Sequence, residues 1–215
     1  MTDLILYIGN KNYSSWSMRP WLALREAGIA FEERLVPFDF AAGNPAFAEF
    51  SPTNRVPVLR HGDETVWESL AIIEYASELF PEKRLWPDDR SQRARSRSIS
   101  CEMLSGFSAL RAQCPMNMRR TPSAIALSDE TKGDITRIED IWQHCLDDAG
   151  GPFLFGAFSA ADAMYAPVVN RFEIYRLSDN PAVLAYMKAI KSLGAWQEWE
   201  KAGIAEPWVI AGDEV

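Results

Sequence analysis

The chain has 215 residues, 47% of them hydrophobic and 24% charged, which is enough apolar material for a core in one domain or two small ones. Its net charge of −8 and its pI near 4.9 argue against a protein that binds nucleic acid or an anionic membrane over a broad surface. The three cysteines have neither CxxC nor metal-ligand spacing and there are only two histidines, so we expect reduced thiols and no metal site.

The first residues lack the features of a targeting segment. Residues 1–3 have no basic region, and the apolar run Leu4–Ile8 is too short for a signal core. No run approaches the roughly 20 apolar residues that a membrane helix needs. We therefore expect a soluble, cytoplasmic protein.

Strand and helix signals alternate through the first 80 residues. The continuous apolar run Leu4–Ile8 predicts a strand buried on both faces. The order βαβα followed by ββα predicts a thioredoxin-like domain, a small mixed sheet with helices on its faces. After the first strand, the predicted elements are a helix that stops at Gly28, a strand over 31–36, a short helix at Asn44 and Pro45, a hairpin of 58–60 with 65–67, and a helix over 69–80.

The rest of the chain has only helical periodicity. A charged connector bracketed by prolines separates the two parts, so we predict domains at 1–80 and 91–215 with a linker at 81–90. The second domain is predicted to be all-helical. Its predicted helices are one that carries Met103, Leu104, Phe107 and Leu110 and ends before Pro115, one that carries Ile135 to Cys145 and ends at Gly150, and three over 159–177, 181–192 and 195–201.

Two motifs ten residues apart predict a small peptide ligand. Pro57 between Val56 and Val58 belongs at a strand edge or distortion, and its best use is a cis turn that leaves the Val56 backbone free to pair with an extended peptide. Glu68 and Ser69 fall where a strand ends and a helix begins, so backbone N–H groups and a hydroxyl there can bind an anion.

The loop after the first strand carries three serines: Ser14, Ser15 and Ser17. Loops at the carboxyl ends of strands are the usual ligand sites of open α/β sheets. A hydroxyl near a helix N-terminus can also stabilise an anion. Serines commonly cap helices, but three exceed what one cap needs, so we expect a functional serine here.

Other catalytic groups are disfavoured. His61 and His144 are the only histidines, and neither completes a convincing Ser-His-Asp set. Ser159 and Asp162 have the S-x-x-D form of a capping box, so we interpret both as structural.

These motifs resemble those of the cytosolic glutathione transferases over essentially the whole chain. The Val56-Pro57 strand, the Glu68-Ser69 helix start and the capping box stand at family spacing. The resemblance implies a glutathione-binding thioredoxin-like domain followed by a helical domain that lines the electrophile site. It also implies a homodimer, no metal cofactor, and a role in detoxification.

The resemblance assigns roles residue by residue. Ser14 matches the thiol-contacting position of the serine-type zeta and theta classes, and Ser15 is the close second candidate. Ser17 and Arg19 stand where they can support this site. The resemblance implies that Val56, followed by cis Pro57, pairs with the cysteinyl part of glutathione and that Glu68 and Ser69 hold the γ-glutamyl part. Arg55, at a position where the family often has lysine, is a further implied glutathione contact.

The implied reaction is attack by the glutathione thiolate on a small hydrophobic electrophile, held by helices and loops such as 113–127. Zeta-class isomerases carry cysteine and arginine where this chain has Trp16 and Trp21, which argues against maleylacetoacetate isomerisation. The alternatives are another glutathione-dependent activity, peroxidase or isomerase, and a non-catalytic protein-interaction module on the same fold.

Overall fold

The computed structural model describes residues 3–215, so Met1 and Thr2, which fall in the predicted first domain and in the segment searched for a signal, lie outside it. A four-stranded sheet with helices on it is followed by a helical half, as the sequence predicts. The strands are β1 Leu4–Ile8, β2 Glu32–Leu35, β3 Val58–His61 and β4 Glu64–Trp67. The helices are α1 Ser15–Glu26, α2 Ser69–Leu79, α3 Arg90–Ser105, α4 Ser108–Gln113, α5 Asp129–Ala149, α6 Ala160–Ile174, α7 Pro181–Lys191 and α8 Gly194–Ala205.

The sheet order is β2-β1-β3-β4, with β1 parallel to β2 and antiparallel to β3. Strand β1 is internal, and both of its faces are covered: Leu4, Leu6 and Ile8 pack in the main core, and Ile5 and Tyr7 pack in a second cluster on the other face. Its continuous apolar run follows from this double burial. Leu6 lies opposite Glu33 on one side and Leu59 on the other. The carboxyl end of β1 therefore opens directly into the serine-bearing loop.

The helical half differs from prediction at one point. The apolar stripe from Met103 to Leu110 predicts one helix, but α3 ends at Ser105 and α4 begins at Ser108. Phe107 adopts a left-handed conformation with φ 56°, and a Cβ on Gly106 would lie 2.8 Å from the carbonyl oxygen of Glu102. The glycine therefore permits a sharp break that a hydrophobic stripe alone does not reveal.

Helix α6 is the central element of the helical half and packs against both α1 and α3. All but one of its residues are buried, and its start is fixed by the predicted capping box. The Asp162 carboxylate accepts hydrogen bonds from the N–H and the hydroxyl of Ser159, both at 2.9 Å, and from the N–H of Leu154 at 3.1 Å. The α1–α6 contact sets the second half of the chain directly behind the serine loop.

In the described part of the chain, every helix is too short or too polar to cross a membrane.

Candidate functional site

The strand edge at Val56 has the form that the sequence predicts. The Val56–Pro57 peptide bond is cis, and the Val56 side chain packs in a small cluster with Tyr7 and Phe50, whose rings are stacked at 4.2 Å. The Ser51 hydroxyl accepts a hydrogen bond from the Arg55 N–H and donates to the Arg55 carbonyl. Neither backbone group of Val56 makes a hydrogen bond within residues 3–215, so this edge is free to pair.

Helix α2 begins beside that edge. Glu68 has φ 68° and ψ 130°, a conformation that is costly for a side chain other than glycine. Its carbonyl accepts the first hydrogen bond of the helix, from the Ile72 N–H at 3.0 Å. The N–H groups of Ser69, Leu70 and Ala71 precede that bond, which gives the helix start the donors and the positive dipole end that favour an anion.

The Ser69 hydroxyl links α2 to α1. It donates to the carbonyl of Trp16 at 2.7 Å. Within a regular helix that carbonyl would accept the N–H of residue 20, but Pro20 has none. The proline in α1 therefore leaves an acceptor that the Ser69 side chain satisfies.

The serine loop holds its three hydroxyls in two separate arrangements. The Ser14 hydroxyl donates to Ser17 at 2.7 Å, and the Ser17 oxygen also accepts the N–H of Gly9 at 3.1 Å. The Ser15 oxygen instead accepts a hydrogen bond from Nη2 of Arg171 at 3.3 Å. Ser17 is fully buried, whereas Ser14 and Ser15 both line a cavity.

Two tyrosines lie near the serine loop, and the oxygen of each makes a hydrogen bond with an arginine. Tyr13 donates to the Glu214 carboxylate at 2.5 Å and accepts from Arg119 at 2.6 Å. Tyr7 accepts from Arg34 at 2.9 Å. The Tyr13 proton is therefore taken by Glu214, and Tyr7 lines neither cavity, so serine is the hydroxyl type better placed to donate to a ligand here.

Two cavities meet at the site, and Trp16, Arg55 and Val56 line both of them. The smaller cavity has a volume of about 150 Å³ and contains the predicted binding residues. The larger has a volume of about 420 Å³ and contains the serines and an aromatic wall. The remaining residues of the smaller cavity are Thr53, Pro57, Glu68 and Ser69. The remaining residues of the larger one are Tyr13, Ser14, Ser15, Phe38, Phe40, Asn44, Phe47, Asn54 and Asp213.

The carboxyl-terminal strap, which we define as residues 206–215, closes one side of the larger cavity. Among the described residues that line the larger cavity, Asp213 is the one that lies outside positions 13–56. No residue of 113–127 lines either cavity. Arg119 fixes the strap by donating to the carbonyls of Glu206 and Trp208, both at 2.7 Å. In the described part of the chain, the second half therefore reaches this cavity through Asp213 of the strap, and a contribution of 113–127 to an electrophile site stays a prediction.

Arg19 lies behind the site and is not exposed to either cavity. Its guanidinium donates to the carbonyls of Met164 and Ser15. Burial, followed by the neighbouring charges of Arg171 and Arg111, holds its pKa well below the usual value. Sequence reasoning missed Arg171, because only the tertiary contact of α6 with α1 brings it to Ser15.

The histidines and the other cavities lie outside this constellation. His61 contacts the Tyr75 hydroxyl at the far end of β3, and His144 is exposed on α5. A larger cavity of about 580 Å³ lies between the end of α6 and α7 and contains none of the residues singled out from the sequence.

The mixed sheet, the helical half and the paired cavities define a glutathione transferase fold. Family models for the glutathione S-transferase N-terminal and C-terminal domains match residues 13–79 and 125–189. A maleylacetoacetate isomerase of Rattus norvegicus is 30% identical over 201 residues, which cover 90% of each chain. The chain belongs to the glutathione S-transferase family. Its assignment to the serine type stays a prediction.

Further relatives have similar sequences and folds. Protein IN2-1 homolog B of Oryza sativa is 27% identical over 162 residues; the match covers 74% of this chain and 62% of that protein. A glutathione transferase homologue from Burkholderia, solved with bound glutathione, is 27% identical with a TM-score of 0.72 and covers 94% of this chain and 98% of its own. A glutathione transferase from Methylococcus capsulatus is 25% identical with a TM-score of 0.70; the match covers 93% and 98%.

Proposed function

We propose that the protein binds glutathione across the two joined cavities and activates it as a thiolate, which attacks a small hydrophobic electrophile and forms a carbon–sulfur bond to it while the electrophile's leaving group departs. The observation that carries this proposal is the shared wall of Trp16, Arg55 and Val56. It connects a free strand edge and a helix start to a loop of serines. The Burkholderia homologue, which binds glutathione, supports the choice of ligand.

Glutathione has the chemistry that these surfaces require. Its cysteinyl N–H and C=O would pair with the free backbone groups of Val56 like a short extra strand. Its γ-glutamyl carboxylate would bind the first N–H groups of α2. The Ser69 hydroxyl would turn from the Trp16 carbonyl to donate to that carboxylate, and Glu68 would accept from the ammonium group. Arg55 lines both cavities, and its cation would offset the negative charge of the peptide within an acidic protein.

The cysteinyl sulfur would then lie against the serine loop. A thiol is a poor nucleophile at neutral pH because the thiolate is the reactive form. A hydrogen bond from the hydroxyl of Ser14 or Ser15, together with the start of α1, would stabilise the thiolate. Lowering the thiol pKa by about two units corresponds to roughly 2.7 kcal/mol of differential stabilisation.

The second substrate would occupy the larger cavity. Phe38 and Phe40 are stacked at 4.9 Å, and Phe47 packs against Phe38 at 5.8 Å, which forms an aromatic wall in the cavity that the serines also line. Such a wall suits an apolar or aromatic electrophile. Holding both reactants in one cavity contributes as much to the rate as activating the sulfur.

Isomerisation with glutathione is the second candidate, and the rat maleylacetoacetate isomerase favours it. The two substitutions noted in the sequence have different weight. Trp16 lines both cavities and would stand near the sulfur of glutathione bound across them, whereas Trp21 is fully buried in the core and lines neither cavity. The distinction between transfer and isomerisation therefore depends on Trp16.

The test is the rate of glutathione conjugation to 1-chloro-2,4-dinitrobenzene. We expect the wild type to be active. Of the two variants Ser14→Ala and Ser15→Ala, the one that lacks the thiolate-binding hydroxyl should lose roughly 100-fold or more of the conjugation rate. Ser98→Ala, which removes an exposed hydroxyl of α3, is the control and should keep full activity. Absence of conjugation together with turnover of maleylacetoacetate would favour the isomerase. Absence of both would favour a non-catalytic module.

The cytoplasmic location and the homodimer stay predictions. Light scattering after size exclusion would test the second, because a dimer has twice the 24.2 kDa mass of the chain.

A further inference from the structure

Three arginines converge behind the serine loop from three different helices. Arg19 is on α1, Arg111 on α4 and Arg171 on α6. Arg19 is 0% exposed and Arg171 4%, which is unusual for a residue whose charge cannot be removed at neutral pH.

These cations are held by carbonyl groups instead of carboxylates. Arg171 donates to the carbonyls of Cys114 and Pro167, and Arg19 donates to those of Met164 and Ser15. The second terminal nitrogen of Arg19 is buried and has no hydrogen-bond partner among the described residues. The cluster therefore keeps much of its positive charge uncompensated inside the protein.

Two carboxylates near the cluster offset only part of its charge. Asp134 faces Arg111 and the half-buried Asp213 of the strap faces Arg171, each without a hydrogen bond to the arginine that it faces. Burial, followed by the charge of Arg111, lowers the pKa of Arg171 to about 10, so it remains a cation at pH 7.

The other ionisable groups near the cluster are neutral or positive at that pH. Tyr165, Tyr175 and Cys114 are neutral, since burial raises the pKa of each of these groups. Arg120 adds a further positive charge near Cys114 and Tyr175.

The cluster contacts the candidate site at two residues. Nη2 of Arg171 donates to the Ser15 oxygen, and a hydroxyl whose oxygen accepts from a cation becomes a stronger donor through its own proton. The guanidinium centres of Arg19 and Arg111 lie 4.1 and 5.3 Å from the ring centroid of Trp16, which lines both cavities. Positive charge is thus focused on the place where Ser15 and Trp16 face the ligand.

We propose that Arg171, supported by Arg19 and Arg111, is a positioning residue that polarises the Ser15 hydroxyl and so holds the sulfur of bound glutathione as a thiolate. The inference rests on the proposed function and deepens it by selecting Ser15 over Ser14. The thiol proton leaves to solvent. The Ser15 hydroxyl stays protonated and donates a hydrogen bond to the sulfur. No bond forms or breaks at the arginine.

The experiment is an ultraviolet titration of the thiolate of glutathione bound to the full protein, with Arg171→Gln as the main variant. Arg171→Met, which has an apolar side chain of related length, is the second variant in case the first does not fold. Arg176→Gln is the matched control, because it removes an exposed arginine just beyond α6. Glutathione binding is measured for each variant by calorimetry.

We expect Arg171→Gln to raise the bound thiol pKa by roughly one unit, a tenfold loss of thiolate well below that pKa, with conjugation restored at high pH. Arg176→Gln should leave it unchanged. In a Ser15→Ala background Arg171→Gln should have little further effect, because both act through one hydroxyl.

An unchanged thiol pKa in Arg171→Gln or Arg171→Met that still bind glutathione would overturn this inference and leave the proposed function standing. A full additional effect in the Ser15→Ala background would overturn the route through Ser15. A wild-type protein that does not bind glutathione would overturn the proposed function as well.

Discussion

The Glu206 carboxylate accepts a hydrogen bond from the backbone N–H of Lys11 at 2.6 Å, across 195 positions of the chain. Its other oxygen accepts the neighbouring N–H of Asn12 at 3.1 Å. Gly203 lies so close to these two residues that an added Cβ would come within 3.1 Å of their backbone. The end of α8 and the strap therefore fix the loop that carries Ser14 and Ser15.

Replacing Glu206 by alanine should destabilise the fold and slow conjugation. Two buried N–H groups would lose their acceptor, which costs about 2–4 kcal/mol in the free energy of unfolding. Urea unfolding measures that loss. Glu200→Ala is the control, since Glu200 lies on α8 and its side chain makes no hydrogen bond with the described residues. Equal stability of the two variants would contradict the role of Glu206.

Asp162 should make the fold less stable as the pH rises. Burial raises its pKa from 3.8 to about 6, although the hydrogen bonds of the capping box oppose the shift. Between these values the folded state binds a proton that the unfolded state has lost, so this contribution is full below pH 4 and is lost by about pH 6. The difference between the two pKa values corresponds to about 3 kcal/mol in the free energy of unfolding.

The measurement is urea unfolding at pH 4, 5 and 7 for the wild type and for Asp162→Asn. The stability of the wild type relative to the variant should fall by about that amount between pH 4 and pH 7. A constant difference across this range would show that Asp162 titrates normally.

Glu68→Gly should separate binding from stability. Glycine adopts a positive φ without strain, so the free energy of unfolding of the variant should be unchanged or higher by up to about 1 kcal/mol. It would also lose the carboxylate at the start of α2, and we expect weaker glutathione binding. Calorimetry and urea unfolding on the same sample check both effects. Unchanged affinity would remove Glu68 from the proposed site.

Alkylation should distinguish the three thiols. Cys101 is exposed, whereas Cys114 and Cys145 are buried and burial raises the pKa of each to about 11. Iodoacetamide at pH 7.5 should therefore modify Cys101 alone in the folded protein and all three in urea, as counted by mass spectrometry. Rapid modification of Cys145 in the folded protein would contradict its burial.

The parts of the fold that depend on local chemistry could be predicted from the sequence. The β1 run, the cis Val56–Pro57 edge and the start of α2 at Ser69 follow from apolar periodicity, proline geometry and helix-end donors within a few residues. The strand predicted over 31–36 is shorter, Glu32–Leu35.

Contacts between distant segments could not be predicted in this way. Arg171 reaches Ser15 across 156 positions and Glu206 reaches Asn12 across 194, and no local pattern marks either pair. The break between α3 and α4 was missed because apolar spacing continues across Gly106 and Phe107 although the backbone turns. Asp213 was missed because the strap has no periodic pattern.

The central claim is that the joined cavities bind glutathione, and calorimetric titration tests it most directly. We predict a dissociation constant in the micromolar-to-millimolar range for the wild type. Ser69→Ala should weaken it roughly tenfold or more, whereas Ser14→Ala and the control Ser98→Ala should bind almost as tightly as the wild type. No heat of binding in the wild type, or undiminished binding in Ser69→Ala, would contradict the account.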